Sequence, residues 1–299
     1  MHTDHLKRSV IDRDSLAAVP RRFTSVDRGS FDAVADLYDR VRPGYPEESL
    51  DQIVELTGLP RRGAVLEIGP GTGQLSVPIA ERGYHLTAVE LGRHLAERAR
   101  RNLSGYPRAT VLCGRFEDVE LPPASFDTVV AATSFHWLDA ETAYPKAASL
   151  LRPTGSLALL WNIHVDIERG FFADSEEVYA RIAPELLGPS RPGRASERTA
   201  RAREIEASGC FGAVETRSTP WRAQYSVPRY LDLLSTYSDH IGLDPETRTE
   251  LFTELGALIR RRYRGRVDKR YETIVYVAPV RTSACSAGVD PGLGKESVP

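Results

Sequence analysis

The sequence is poor in cysteine and has no long hydrophobic run. Its three cysteines, Cys113, Cys210 and Cys285, show no paired spacing, which argues against a disulfide framework and a zinc knuckle. No apolar stretch approaches the roughly 18 residues that a membrane helix needs. The first residues also lack the apolar segment of a secretory signal. We therefore expect a cytoplasmic protein without a membrane partner.

An excess of charge of one sign is also missing. The 39 Lys and Arg residues against 41 Asp and Glu residues give a formal net charge of −2, which argues against binding polyanions through overall charge. Two basic runs, at 191–203 and 260–266, are the exception. Such runs fit RNA or a phosphorylated substrate as well as a solvated surface, and the near-zero total charge favours the surface. We expect no nucleic-acid partner.

What is present is an ordinary globular composition, with 41% hydrophobic and 27% charged residues over 299 positions. This length predicts one large domain, or a core with a smaller second layer. From position 64 onwards, short apolar runs alternate with helical segments. The predicted strands are 64–68, 85–90, 110–113, 126–132 and 156–161, and the predicted helices between them are 74–82, 93–103 and 141–151. Such alternation predicts βαβ units and a parallel sheet.

The chain is predicted to fall into four parts. Residues 1–29 form a charged arm, and 30–162 form the core that contains the alternating elements. Residues 163–278 form a lid together with the final strands of the core, and 279–299 form a polar tail expected to be disordered. In the third part we predict helices at 171–187, 228–240 and 245–263, and strands at 214–224 and 271–278.

A glycine-rich turn follows the first predicted strand. The segment Val65-Leu66-Glu67-Ile68-Gly69-Pro70-Gly71-Thr72-Gly73-Gln74 runs from a buried strand through a turn into a helix. Its three glycines allow a tight turn and the close approach of a ligand. A dinucleotide site would need its third glycine at position 74, where the chain has Gln74, and no Gly-Lys-Ser/Thr follows. The turn therefore favours neither a dinucleotide nor a nucleoside triphosphate.

Two carboxylates accompany this turn. Glu67 precedes the first glycine by two positions, and Glu90 ends the second predicted strand. A carboxylate at position 67 would repel a pyrophosphate but attract the ammonium of an amino acid, whereas Glu90 is placed to accept hydrogen bonds from ribose hydroxyls. An adenosine joined to an amino acid without phosphate satisfies both, which indicates S-adenosylmethionine. A glycine turn in some other α/β fold is the alternative.

Together these features resemble the class I S-adenosylmethionine-dependent methyltransferases, most specifically over 30–162 and less so through 278. The resemblance implies a Rossmann-like α/β fold, with a doubly wound, mostly parallel sheet, a helical lid and an antiparallel last strand. In that family the glycine segment holds the methionine end, the acidic residue after the second strand holds the ribose, and the end of the third strand holds the adenine. The cofactor-binding residues implied here are Tyr38, Arg42, Glu67, Gly69, Gly71, Gly73, Glu90, Leu91, Phe116, Glu117 and Thr133. Many relatives have Asp where this chain has Arg115, so that contact is not carried over.

Three further stretches resemble one bacterial branch of the family. They are Tyr-Asp-Arg-Val-Arg-Pro-Gly-Tyr-Pro at 38–46, Phe-His-Trp at 135–137 and Thr-Tyr-Ser-Asp at 236–239. Members of this branch mostly methylate small molecules, and many have no assigned substrate. The resemblance thus implies a small natural-product or metabolic intermediate as substrate. It leaves open whether oxygen, nitrogen or carbon is methylated, and whether the protein forms a homo-oligomer.

Methyl transfer requires alignment, desolvation and, for some acceptors, a base. His136 is the leading candidate base, because it follows the fourth predicted strand, where ligands of open sheets gather. The alternative is that His136 only hydrogen-bonds the cofactor or the lid. Tyr237 is predicted to point into the pocket as a second catalytic residue, and His164 is a further candidate base. We expect no metal.

Three other functions stay open from the sequence. The same scaffold also hosts cyclisation and other steps that transfer no methyl group. A nicotinamide-dependent oxidoreductase is disfavoured by Gln74 and Glu67. A binding module without enzymatic activity is disfavoured because the donor-site pattern is intact and a lid segment is present.

Overall fold

The computed structural model describes residues 28–165, 169–187 and 194–281. The predicted arm at 1–29 and the predicted tail at 279–299 lie almost wholly outside these residues. The strands are β1 (Ala64–Ile68), β2 (His85–Glu90), β3 (Ala109–Cys113), β4 (Phe126–Ala132), β5 (Leu151–His164), β6 (Glu215–Ser226) and β7 (Arg266–Pro279). The helices are α1 (Ala35–Val41), α2 (Glu47–Thr57), α3 (Ser76–Glu81), α4 (Arg93–Asn102), α5 (Ala140–Leu150), α6 (Phe171–Ile182), α7 (Arg194–Ala207), α8 (Val227–Leu234), α9 (Ser238–Ile241) and α10 (Pro245–Arg262). A 3₁₀ turn at Arg28–Val34 precedes α1.

The strands form a seven-stranded sheet in the order β3-β2-β1-β4-β5-β7-β6. Strands β1 to β5 are parallel, and β7 runs antiparallel to both of its neighbours. The predicted doubly wound, mostly parallel sheet with an antiparallel last strand is confirmed. The strand order reverses between β1 and β4, and ligands of such sheets bind outside the carboxyl ends of the strands at this point.

Helices cover both faces of the sheet, because its strands are apolar on both sides. On one face, α2, α3 and α4 pack residues such as Leu50, Ile79 and Ala96 against the sheet. On the other face, Tyr144 of α5 and Ile205 of α7 close a second apolar cluster. The sheet therefore forms a rigid middle layer from which the loops at its carboxyl edge extend.

A third apolar cluster lies above that carboxyl edge. Strand β7 begins five residues before its pairing with the end of β5, where Tyr271 lies opposite His164. This overhanging part of β7 pairs with the end of β6 and packs against α6, α8 and α10 through residues such as Val267 and Leu255. Val41 of α1 joins the same cluster. We refer to α6, α8, the connection at 235–237, α9, α10 and the overhang of β6 and β7 as the cap.

Two predicted helices differ from the structure, and a further helix lies in a segment for which no helix bounds were predicted. The helix predicted at 228–240 is broken after Leu234, and Tyr237 precedes the short helix α9. Helix α7 was not predicted, because the segment around its start is rich in Pro, Gly and Arg. The helix predicted at 141–151 ends at Leu150, and β5 begins directly after it. Among the described helices, none combines the length and apolarity needed to cross a membrane.

Candidate functional site

A cavity of about 330 Å³ opens at the carboxyl ends of β1, β2 and β4, beneath the cap. Nearly all residues predicted for the site lie in its wall. They are Tyr38, Arg42, Glu67, Gly69, Gly71, Glu90, Leu91, Phe116, Glu117, Thr133, His136 and Tyr237. Gly73 is not in the wall, since it lies in the following turn, where its N–H donates to the carbonyl of Pro70. His164 is also absent from the wall, and its ring packs edge-on against Phe172 at 4.0 Å.

The turn after β1 needs glycine at two positions of the wall. Gly69 and Gly71 have φ of 68° and 62°, in the left-handed region that favours glycine. A Cβ at position 69 would lie 2.6 Å from the Cβ of Ser134, and a Cβ at position 71 would lie 3.2 Å from Cε1 of Tyr38. The turn is therefore closely packed by the loop after β4 on one side and by α1 on the other.

Glu90 connects this turn to the end of β2. Its Oε2 accepts a hydrogen bond from the N–H of Gly71 and its Oε1 accepts one from the N–H of Gly92, each at 2.9 Å. Burial raises the pKa of Glu90 to about 7, although these backbone hydrogen bonds oppose the rise. The carboxylate is thus fixed in place, and each oxygen retains a lone pair for a further donor.

Glu67 is a buried acid with one unsatisfied oxygen. It is 1% exposed, and its Oε2 accepts a hydrogen bond from the Ser76 hydroxyl. Its Oε1 has no hydrogen-bond partner. Burial raises the pKa of Glu67 to about 7, and the nearby charge of Glu90 adds to this rise. A buried oxygen without a donor is costly, so this carboxylate is suited to a ligand that supplies one.

Residues near the start of the described chain close the cavity from above. The Arg42 guanidinium lies between two aromatic rings, 4.9 Å from the centroid of Tyr38 and 4.7 Å from that of Tyr237. Phe31 adds a third ring, edge-on to Tyr38 at 6.3 Å. Burial raises the pKa of Tyr38, so its hydroxyl stays protonated. This closure joins α1 to the cap through stacking contacts.

The loop after β4 supplies the floor. Thr133 adopts a φ of 56°, which is strained for a β-branched residue. Its Oγ1 hydrogen-bonds to the hydroxyl of Tyr45 at 3.0 Å. The side-chain amide of Asn162 donates to the carbonyl of Gly44, which fixes the same turn before α2. Sequence reasoning missed Tyr45 and Asn162, because their partners are distant in the chain.

His136 is exposed to the cavity and is held from behind by Trp161. The indole N–H of Trp161 donates to Nδ1 of His136 at 3.3 Å. Desolvation by the surrounding side chains and, to a lesser extent, the positive charge of Arg201 lower the pKa of His136 to about 4. The ring is therefore neutral at pH 7, and because Nδ1 accepts, the single ring proton lies on Nε2. His136 thus presents a hydrogen-bond donor.

The segment after β3 forms the remaining wall. Phe116 is buried, and the Lys146 ammonium lies 5.3 Å from the centroid of its ring. Lys146 also donates to the carbonyls of Glu117 and Val119 at 2.9 and 2.7 Å. These contacts fix the loop so that Phe116 and Glu117 face the cavity. Arg115 is in the wall too, and its guanidinium pairs with Asp118.

The other residues of the 236–239 stretch surround the cap side of the cavity. Ser238 and Asp239 line it next to Tyr237. Asp239 accepts a hydrogen bond from Nδ1 of His240 at 2.7 Å, and Nε2 of His240 hydrogen-bonds to the Tyr179 hydroxyl. Within the described residues, no group of three or more His, Cys, Asp or Glu side chains could hold a metal ion.

Comparison with known proteins shows the family to which the chain belongs. The family described as a methyltransferase domain matches residues 65–155. An uncharacterized methyltransferase of Mycobacterium tuberculosis is 36% identical over 230 residues, which cover 77% of this chain and 85% of the relative. A second one, from Geobacillus kaustophilus, is 34% identical over 160 residues, which cover 50% of this chain and 73% of the relative.

The fold has solved counterparts. A structure from Anaeromyxobacter dehalogenans, whose name describes a candidate type II methyltransferase, superposes with a TM-score of 0.57. It is 24% identical, and the match covers 80% of this chain and 97% of that one. The sequence relatives, the matched domain and the shared fold agree with one another. The chain therefore belongs to the class I S-adenosylmethionine-dependent methyltransferases.

Proposed function

We propose that the protein transfers a methyl group to a small organic molecule, with the donor on the glycine turn and the acceptor beneath the cap. The unsatisfied Oε1 of Glu67 in the cavity wall carries this proposal. When bound, S-adenosylmethionine supplies a methyl carbon attached to positively charged sulfur. The residues of this chain bind the two partners, align them and exclude water.

The donor half fits an adenosine joined to an amino acid. Glu67, beside the glycine turn, would hold the ammonium end, which supplies the hydrogen-bond donor that Oε1 lacks. Glu90 would accept hydrogen bonds from the ribose hydroxyls next to Leu91, using the lone pairs that Gly71 and Gly92 leave available. Both roles need the carboxylates to be ionised in the complex.

The remaining donor contacts complete the proposed site. Phe116 and Glu117 would hold the adenine, since their loop is fixed by Lys146. Tyr38 and Arg42 would cover the methionine moiety, and Thr133 would border it from the floor. Gly73 would act only through the shape of the turn. We propose that residues 30–162 carry this donor site and that 163–278 supply the lid and the last strands.

The acceptor half is formed by His136 and by Tyr237 of the cap. With its proton on Nε2, His136 would donate a hydrogen bond that orients the acceptor rather than remove a proton from it. The cavity volume of about 330 Å³ falls in the range of small-molecule sites. The net charge of −2 also gives no support for a nucleic-acid substrate.

Calorimetric titration tests the donor half without knowledge of the acceptor. We expect S-adenosylhomocysteine to bind with micromolar affinity, about −8 kcal/mol, and NADH not to bind. Glu67→Gln should weaken this binding, because the amide places less negative charge beside the ligand ammonium. Binding of NADH but not of S-adenosylhomocysteine would contradict the proposal. An acceptor is then sought in small-molecule extracts, as a product heavier by one CH₂ group.

A further inference from the structure

A lysine lies buried under the cap, directly behind Tyr237. Lys269 is 5% exposed, in the overhanging part of β7. Its Nζ donates a hydrogen bond to the Tyr237 hydroxyl oxygen at 2.9 Å. The same ammonium lies 5.2 Å from the ring centroids of both Tyr237 and Tyr271. Burying a lysine is costly unless its charge is compensated, and the Tyr237 oxygen is the group that accepts its hydrogen bond.

The oxygen of Tyr237 is placed to carry negative charge. Burial alone would raise the pKa of Tyr237, but the Lys269 ammonium and the Arg42 guanidinium outweigh burial and hold it below its usual value. The Tyr271 hydroxyl also interacts with Tyr237, in the direction that lowers the pKa of Tyr237 and raises its own. Two cations and a hydroxyl thus surround this one phenol.

The other titratable groups around Tyr237 are three tyrosines and the hydrogen-bonded pair Asp239 and His240. Burial raises the pKa of Tyr225 and of Tyr230, and a charge on Tyr237 raises both further. Tyr179, on α6, behaves in the same way. The His240 ring lies 6.0 Å from that of Tyr237 and is hydrogen-bonded to Asp239. Among these phenols, negative charge is therefore most stable on Tyr237.

We propose that Tyr237 acts as the catalytic base in its phenolate form, and that Lys269 is the positioning residue that maintains this form. The inference deepens the proposed function and rests on it. The acceptor transfers the proton of its O–H or N–H group to the Tyr237 oxygen, which becomes a neutral phenol. The electron pair left on the acceptor atom forms the bond to the methyl carbon, and the carbon–sulfur bonding pair stays on sulfur.

This assignment restricts the acceptor class. A carboxylate is already ionised at neutral pH and needs no base, whereas a hydroxyl or a protonated amine does. The structure thus favours an acceptor of the latter kind. His136 does not compete for this role, because its Nδ1 is occupied by Trp161 and its Nε2 carries the proton.

Ultraviolet titration of the ligand-free protein tests the phenolate directly, because tyrosinate absorbs where tyrosine does not. The chain has 12 tyrosines. In the wild type, we expect one tyrosine to ionise below the usual pKa of about 10 and the others at or above it. Tyr237→Phe should remove this early step while retaining the ring beneath Arg42. Tyr106→Phe, whose hydroxyl lies at the surface next to Glu81, should remove absorbance only at high pH.

Two substitutions at position 269 separate charge from packing. Lys269→Met should move the early ionisation step to higher pH. Lys269→Arg keeps the positive charge and should leave this step close to its pH in the wild type. The same early absorbance in wild type and in Tyr237→Phe would overturn the inference, whether or not the Lys269 variants fold. Titration of the same wild-type samples with S-adenosylhomocysteine tests the proposed function separately. Binding of this ligand without an early ionisation step would refute only the role of Tyr237.

Discussion

The Arg42 guanidinium is hydrogen-bonded to Thr236, although the two residues are 194 positions apart in the chain. Its Nε donates to Oγ1 of Thr236 at 2.9 Å, and its Nη2 donates to the carbonyl of the same residue. Thr236 is fully buried and directly precedes Tyr237. One arginine therefore connects the segment after α1 to the cap and fixes both over the cavity.

Arg42→Ala should loosen both segments together. The substitution removes two charge-assisted hydrogen bonds and leaves the buried Thr236 carbonyl without this donor, so we expect the free energy of unfolding to fall by about 1–3 kcal/mol. Hydrogen exchange should accelerate at 35–41 and at 238–241 alike. Arg40→Ala, at an exposed position in the last turn of α1, is the control. Equal stability of the two variants would show that the Arg42–Thr236 contact stabilises nothing.

Glu90→Gln should weaken the binding of S-adenosylhomocysteine by about 1–3 kcal/mol. The amide has only one acceptor oxygen for the N–H groups of Gly71 and Gly92, so one of them loses its partner and the ribose loses an acceptor. Calorimetry measures the change. Glu55→Gln, at an exposed position of α2, provides the matched control and should bind as the wild type does. Unchanged affinity in Glu90→Gln would remove Glu90 from the donor site.

Local sequence signals were enough to predict much of the donor site. The glycine turn, Glu67 and Glu90 lie within 24 residues, and each follows directly from a strand end or a turn. Their placement depends only on the parallel pairing of β1 with β2. The alternation of elements fixed that pairing, because crossover connections between neighbouring parallel strands follow one handedness.

The cap side depended on contacts that no local pattern specifies. Lys269 lies between the charged residues Asp268 and Arg270, outside the strand that was predicted at 271–278. The signal that places it inside is the two-residue period of β7, in which Val267, Lys269 and Tyr271 share the buried face. The break between α8 and α9 was also missed, since no Gly or Pro marks it. That break determines where Tyr237 lies.

The pH dependence of donor binding should run opposite to that of stability. Burial raises the pKa of Glu67 and of Glu90 from 4.5 to about 7, so the folded protein holds these protons more tightly than the unfolded chain. The stability that they contribute is complete below the unfolded value of 4.5 and is lost as the pH rises to about 7. Donor binding needs the ionised carboxylates and should strengthen over the same rise.

Chemical denaturation with and without S-adenosylhomocysteine, between about pH 5 and pH 8, measures both trends. Glu67→Gln should flatten the pH dependence of stability, because one of the two titrating groups is gone. A ligand effect that weakens as the pH rises through 7 would contradict the assignment of these two acids to the donor site.

Gly71→Ala should abolish donor binding, and a matched glycine separates backbone strain from obstruction of the site. Gly71 and Gly58 have nearly the same φ, 62° and 63°. A Cβ at position 71 would press on Tyr38 at 3.2 Å, whereas one at position 58 would meet nothing within 4 Å. Both alanine variants should lose about 1 kcal/mol of stability to the strained backbone, but only Gly71→Ala should fail to bind S-adenosylhomocysteine. Failure of both would attribute the loss to general destabilisation.

Asp32→Ala should weaken donor binding indirectly, because Asp32 holds the 3₁₀ turn before α1 against the start of α4. Asp32, in the 3₁₀ turn before α1, accepts hydrogen bonds from the N–H groups of His94 and Leu95 at 2.7 and 3.0 Å, and so caps α4 from outside. Loss of side-chain hydrogen bonds of this kind at the start of a helix costs about 1 kcal/mol of stability. It should also release the neighbouring Phe31, which lines the cavity and lies 5.8 Å from the ring of Trp137.

Calorimetry with S-adenosylhomocysteine and hydrogen exchange over 93–102 distinguish the two effects of this substitution. Asp232→Ala, at an exposed position of α8, is the control and should change neither measurement. We expect faster exchange in α4 together with weaker binding. The Asp32 hydrogen bonds hold the 3₁₀ turn against α4 and thereby hold Phe31 over the ligand. Faster exchange with wild-type affinity would mean that the turn before α1 stabilises α4 but takes no part in closing the donor site.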